Sequence, residues 1–269
     1  MKSITEMTSD EASGIRFVLT DIDDTLTTQG KLSSQAYQAL WQLRDAGIKV
    51  IPITGRSAGW CDLIAREWPV EGVIGENGAF AFWEEAGMLK SIFHPQAIKN
   101  DHPILEQIKA EVFKTIPGIR LAKDQFARLF DIAFDFAEEE PRLSLEAAEH
   151  IRSIAVNAGA QAKISSIHVN IWIGHYDKVS MTEQFLSARF AWKAHTDNRQ
   201  LIFVGDSPND EPLFAHFPLT AAVATIHRYR SYLQQYPAFV TTKEGGAGFA
   251  EIARIVLESV RSVEIKEVV

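Results

Sequence analysis

Arg16-Phe17-Val18-Leu19-Thr20-Asp21-Ile22-Asp23-Asp24-Thr25 sets the architecture of this chain. Phe17 to Thr20 form a short apolar, β-branched run of the kind buried in a parallel strand, and the acidic residues that follow end it in a loop. A helix is predicted next over 33–47, with a serine N-cap candidate, Ala36, Leu40 and Leu43 at helical spacing, and a terminal glycine. The strand KVIPITG (49–55), a helix over 57–68, and the β-like stretches EGVIGENG and AFAFW continue the alternation. Near the other end, LIFVGD (201–206) reads as a strand and NDEPLFAHF as a helix start. TAAVA and FVTT read as short strands, and FAEIARIVLESVRSV as an amphipathic closing helix.

Strand and helix alternate in both regions, so the expected fold class is α/β, a Rossmann-like parallel sheet with helices on both faces. The expected core comprises residues 1–94 and 176–269, with the polar first fourteen residues frayed. Residues 95–175 follow a different grammar and are expected to form an inserted α+β domain: a helix over 103–115, a β-like run over 128–137, a helix over 144–159 and a strand in KISSIHVNIWIG. In that last strand Ile167, Val169, Ile171 and Ile173 point one way and His168, Asn170 and Trp172 the other, leaving one face for solvent or ligand.

With 46% apolar and 23% charged residues in 269, the chain has globular composition and no sign of disorder. A net charge of -8 gives no electrostatic reason to expect nucleic acid or an anionic membrane as partner. An anionic substrate is still compatible, because one bound cation reverses the potential inside a pocket. Cys61 is the sole cysteine, which rules out an internal disulfide framework and cysteine-based zinc clusters and favours a cytoplasmic setting. No apolar run approaches membrane-spanning length.

Four short segments carry chemistry. Asp21, Asp23 and Asp24 repel one another at a strand end, and a divalent cation held by oxygen ligands is the simplest remedy; an acidic turn capping the next element is the alternative. Thr54-Gly55-Arg56 ends another strand, with a hydroxyl and a glycine suited to phosphate, although an ordinary turn would look the same. Lys178 follows the insert, where a lysine either neutralises phosphate charge or is merely solvated. Gly205-Asp206-Ser207-Pro208-Asn209-Asp210 ends the strand LIFV and adds two carboxylates and an amide as hard donors; an N-capped helix start is compatible with that role.

In that order, DIDDT, ITGR, the lysine of YDKVSM and VGDSPND resemble the four motifs of the haloacid dehalogenase superfamily. The insert, its position and ENGA at 76–79 are similar to the C2-capped class IIB branch, which includes mannosyl-3-phosphoglycerate, sucrose-phosphate and trehalose-phosphate phosphatases. Asp24 departs from the pattern, since many relatives have glycine there.

The resemblance implies a Mg²⁺-dependent phosphatase acting on a small phosphorylated metabolite, with a sugar phosphate as the expected substrate. It implies that Asp21 attacks phosphorus to form an aspartyl-phosphate, and that Asp23 serves as general acid and then base while binding metal through its backbone carbonyl. Thr54 and Lys178 would hold the transferring oxygens, and Asp206, Asn209 and Asp210 would complete the metal site or orient Lys178. Gly55, Arg56 and Asn77 are expected at the substrate together with Lys178. Within or beside the insert, His175 is expected near Lys178 and Asn170 is a further candidate. Arg128, His168 and Asn170 also fit exposed strand positions, and Trp41, Trp60 and Trp68 are expected in the core. No histidine pair has zinc-site spacing and no P-loop occurs. A phosphomutase using the same chemistry, or a non-catalytic sugar-phosphate sensor, are the competing readings.

Overall fold

The computed structural model describes residues 1–267, with side chains as far as Val260. The first core segment holds β1 (Lys2–Ser3), α1 (Ser9–Ser13), β2 (Phe17–Thr20), a hairpin of β3 (Thr27–Thr28) and β4 (Lys31–Leu32), α2 (Ser34–Asp45), β5 (Lys49–Pro52) and α3 (Ala58–Glu67). It ends in β6 (Val73–Gly75), β7 (Phe80–Glu85) and β8 (Met88–Phe93). The insert contains α4 (Pro103–Thr115), β9 (Arg120–Leu121), β10 (Asp131–Asp135), α5 (Leu145–Asn157), β11 (Gln161–Ile164) and β12 (His168–Trp172). The chain returns through α6 (Lys178–Phe190), β13 (Leu201–Gly205), α7 (Glu211–His216), β14 (Thr220–Ala222), β15 (Phe239–Val240) and α8 (Gly245–Glu267).

Six strands form one parallel sheet in the order β1-β15-β14-β13-β2-β5, and a single bridge from Ile53 to Ile74 links it to the antiparallel β6-β7-β8 ribbon. Both faces are apolar because alternate residues serve different helical layers. Val18, Val50, Ile202 and Val204 pack with residues of α2, α3 and α8; Phe17, Leu19, Ile51, Leu201 and Phe203 pack with Met181, Phe185 and Leu186 of α6 and Leu213 and Phe214 of α7. Strand order reverses between β2 and β13, and this opens a crevice at their carboxyl ends. Asp21, Thr54 and Asp206 follow β2, β5 and β13 at that end.

The insert covers the crevice. Its sheet, ordered β11-β12-β10-β9, is antiparallel, and one face packs on α4 and α5 through a separate apolar cluster that includes Leu105, Ile108, Phe134, Ile151, Val169 and Ile171. The KISSIHVNIWIG segment is two strands, β11 and β12, and their pairing of Lys163 with Asn170 turns the polar alternation toward the core.

The first fourteen residues do not fray. β1 adds a strand beside β15, pairing Lys2 with Phe239, and Ile4 and Ala12 are fully buried. Two reciprocal capping boxes hold the segment, Ser3 with Glu6 and Thr8 with Glu11; each satisfies amides that a helix start leaves free. Replacing Ile4 by Ala should therefore cost about 2–5 kcal/mol, the range for a buried Ile-to-Ala cavity. Urea unfolding would show it as a lower midpoint, and an unchanged midpoint would mean that this segment lies outside the cooperative unit.

Candidate active site

The centre of the crevice is an ammonium group between two carboxylates. Lys178 opens α6 after Asp177, whose side chain caps the helix by accepting from the Ser180 amide at 2.7 Å. From there Lys178 Nζ donates to Asp21 Oδ1 at 2.9 Å and to Asp210 Oδ1 at 3.1 Å, and all three residues are buried. Asp210 is fixed in turn: its Oδ2 accepts from the amides of Asp206 at 3.0 Å and Ser207 at 3.4 Å. That approach requires glycine at 205, where a Cβ would lie 2.4 Å from Asp210 Oδ2.

Asp206 faces the same space and accepts from the Thr25 hydroxyl at 3.2 Å. Carboxylate oxygens of Asp21, Asp206 and Asp210 lie within 4.8 Å of one another. Burial, opposed by Lys178 and reinforced by Asp210 and Asp23, pushes Asp21 up to about 7. Burial and repulsion from Asp210 and Asp21 push Asp206 well above the ordinary carboxylate range. Such a cluster is short of positive charge, and its donors are hard oxygens without a histidine or cysteine, the set that suits Mg²⁺. The residues present therefore fit a divalent cation.

Asp23 lies outside that cluster. Its Oδ1 accepts from Arg56 Nη2 at 2.6 Å, and Arg56 Nε contacts both carboxylate oxygens at 3.2 and 3.1 Å. The guanidinium also lies 4.6 Å from the Trp60 ring centroid. Trp60 is 45% exposed and lines the cavity, and Trp41 is 40% exposed, so neither belongs to the expected core, whereas Trp68 is partly buried against it. At Asp24 φ is 58°, a left-handed conformation that explains why glycine suits this position and aspartate is tolerated.

A cavity of about 1010 Å³ lies between core and cap. Asp21, Asp23, Thr54, Asp206 and Asn209 line it from the core, and Arg128, Lys163, His168 and Asn170 from the cap. Thr54 is buried, and its hydroxyl accepts from the Arg56 amide at 3.1 Å. Gly55 is a close-approach glycine: a Cβ there would lie 3.2 Å from Asn77 Oδ1 and 3.6 Å from Asn170 Oδ1. Asn77, with φ of 58°, is buried and its Nδ2 has no partner, an orphaned donor at the cavity wall. His175, by contrast, is exposed and does not line this cavity.

The insert's polar face is buried, contrary to the expectation of exposed strand positions. Arg128 pairs with Asp131 at 2.9 Å and Asp124 at 3.1 Å, and its Nη1 donates to the Gly55 carbonyl at 3.1 Å. Asn170 Nδ2 donates to Asp131 Oδ2 at 2.8 Å, and His168 pairs with Glu138 at 2.7 Å. Sequence reasoning noted ENGA but assigned Glu76 no role. Its fully buried carboxylate accepts from Ala58 N at 3.0 Å, Leu129 N at 3.0 Å, Phe130 N at 2.7 Å and Asp131 N at 3.3 Å. One core side chain thus caps α3 and seats the chain where it enters β10. Burial and Asp131 push Glu76 up to about 8 against the pull of those amides.

Comparisons with known proteins agree with this geometry. Residues 18–116 match the family of haloacid dehalogenase-like hydrolases. The fold resembles a Thermoplasma acidophilum protein (TM-score 0.69, 20% identity, covering 91% of this chain and 99% of that one). It also resembles a haloalkanoate-superfamily phosphatase from Bacteroides thetaiotaomicron (0.57, 18%, 90% and 96%) and a subclass IIB sugar phosphatase of the same superfamily (0.59, 15%, 93% and 99%). No curated protein matches the sequence. The sequence match covers residues 18–116, and the fold of the whole chain, core and cap together, is similar to that of these solved structures.

Two outcomes follow from the carboxylate cluster. Gly205→Ala should destabilise by about 1–3 kcal/mol, the usual cost of forcing an atom into a filled site, visible as a lower Tm. Burial pushes Asp21 up to about 7, so a divalent cation held by its ionised form would displace a proton below that pH. Affinity should rise with pH through about 7, and calorimetry in buffers of different ionisation enthalpy should register proton release; pH-independent binding would contradict the assignment.

Proposed function

We propose that this protein is a Mg²⁺-dependent phosphatase for a small phosphorylated metabolite, with sugar phosphates as the substrate class, working through an aspartyl-phosphate at Asp21. The observation that carries this reading is the buried Asp21, Asp206 and Asp210 cluster bridged by Lys178 at the strand-order reversal, beneath a cavity of about 1010 Å³. That volume is at the upper end for small-molecule sites, so a leaving group of sugar size or larger is accommodated. The names of the two phosphatases among the fold relatives point the same way.

In this reading Asp21 and Asp206 hold the metal, with Asn209 beside them and the Asp23 backbone carbonyl as a further ligand. Asp210 already accepts hydrogen bonds on both oxygens, so its part is to hold Lys178. The bound cation would neutralise charge on the carboxylates and the phosphate. Phosphoryl transfer depends mainly on alignment and charge balance. Lys178 fixes Asp21 through Oδ1, and the Thr54 hydroxyl and Asn77 amide supply donors for equatorial oxygens.

The Asp21 carboxylate attacks phosphorus as the ester oxygen departs with a proton from Asp23. Water, giving its proton to Asp23, then cleaves the acyl phosphate and releases inorganic phosphate. Arg56 occupies both Asp23 oxygens, so the pair must open for each proton transfer, freeing the guanidinium to face the substrate. Cap closure keeps bulk water from the intermediate.

A screen of phosphorylated metabolites with Mg²⁺, read as phosphate release, is the direct test. Asp21→Asn should lower kcat by about 10³-fold or more, as loss of a nucleophile does, and Asp23→Asn by roughly 10²–10⁴-fold, the usual weight of general acid–base catalysis. Hydrolysis that persists in Asp21→Asn, or in excess EDTA, would overturn the mechanism; isomerised hexose phosphate without phosphate release would indicate a mutase.

A further inference from the structure

The cap face over the crevice carries several charges, and nearly all are matched locally. Asp131 pairs with Arg128, Asp135 with Arg120 and His168 with Glu138. Lys163 on β11 is the exception: it is half-buried on that face and has no hydrogen-bond or ion-pair partner among the described residues. Lys31, the other cavity lysine without one, is exposed.

The position of Lys163 is specific. It stands opposite Asn170 in the β11–β12 register, so both side chains emerge on the core-facing side. It lines the main cavity and also a small adjoining recess shared with Asn77, Asp177, Lys178 and Asn209. Burial and the charge of Lys178 hold its ammonium below the ordinary lysine range, against the opposing pull of Asp210, Asp177 and Glu211, none of which forms an ion pair or hydrogen bond with it. A half-buried cation beside another cation is unfavourable unless an anion joins them.

Formal charges identify the missing anion. Asp21, Asp206 and Asp210 contribute three negative charges, and Lys178 with a divalent metal contributes three positive ones, while Asp23 and Arg56 cancel. A phosphate monoester dianion brings two further charges: with Asp23 protonated as the acid, the freed Arg56 offsets one of them, and the core leaves the other unmatched. Lys163 is the unpaired cap cation bordering the same recess as Lys178.

Building on the phosphatase reading, we propose that Lys163 is a cap-borne ligand of the transferring phosphoryl group, facing Lys178 across it, so that phosphate itself draws the cap onto the core. Lys163 is then a determinant of substrate affinity in a domain otherwise expected to read the leaving group. Its contact is common to every ester that the site accepts.

Inorganic phosphate is the probe. Its binding to the Mg²⁺-loaded protein, measured by calorimetry, should weaken about tenfold to a hundredfold in Lys163→Gln, as expected for losing one charge-assisted hydrogen bond, and recover substantially in Lys163→Arg. KM should rise by a similar factor for p-nitrophenyl phosphate, a hexose phosphate and 3-phosphoglycerate alike. Unchanged phosphate affinity overturns the proposal. So does a loss confined to 3-phosphoglycerate, which would assign Lys163 to a second acidic group on the leaving group. The binding arm stands without turnover: a wild type that binds phosphate through Lys163 yet hydrolyses no ester would refute the phosphatase reading and leave this one intact.

Discussion

The site depends on one ion pair, Lys178 with Asp21. A lysine and three aspartates are buried where the sheet's strand order reverses, and none of them is acceptable there alone. Lys178 joins strands distant in sequence, because Asp21 ends β2 and Asp210 follows β13, while the lysine arrives on α6 after the whole insert. Gly205, the amides of Asp206 and Ser207, and the Asp177 cap all keep these charges in register. The cluster remains short of positive charge even so, and a site in that condition favours a cation.

The second constraint is the seam between core and cap. Glu76 reaches three successive cap amides, and Arg128 reaches back to the carbonyl of Gly55, so hydrogen bonds cross the seam in both directions. Gly55 is crowded by Asn77 and Asn170. The loop that carries Thr54 is therefore touched by residues that seat the cap, and a shift of the cap would be felt within one residue of the proposed phosphate donor.

Much of this was legible in the sequence. Apolar runs at 17–20, 49–52 and 201–205 gave the parallel strands, since residues buried on both faces leave a continuous apolar signal. The helix over 103–115 was located at both of its ends. Local spacing also brought Asp21, Thr54, Asp206 and Asn209 to one cavity, because each lies at the carboxyl end of a core strand. Two of the readings that failed did so for different reasons. The polar N-terminus looked frayed although S-x-x-E and T-x-x-E, both capping-box patterns, were present at 3–6 and 8–11. Arg128 and Asn170 looked exposed because period-2 alternation separates two faces without saying that a second domain covers the polar one. Glu76 and Lys163 were not readable at all, since the role of one depends on backbone amides 53 to 55 residues away and that of the other on the lack of a partner.

Glu76 holds the cap through main-chain N–H groups, and every amino acid except proline offers that group. Residues 129 and 130 can accordingly change identity without loosening the hold of Glu76. An attachment of this kind fixes the seat of the cap through the backbone and leaves side-chain identity out of it, and solved structures at 20% identity or less share the fold of this chain over about nine-tenths of its length.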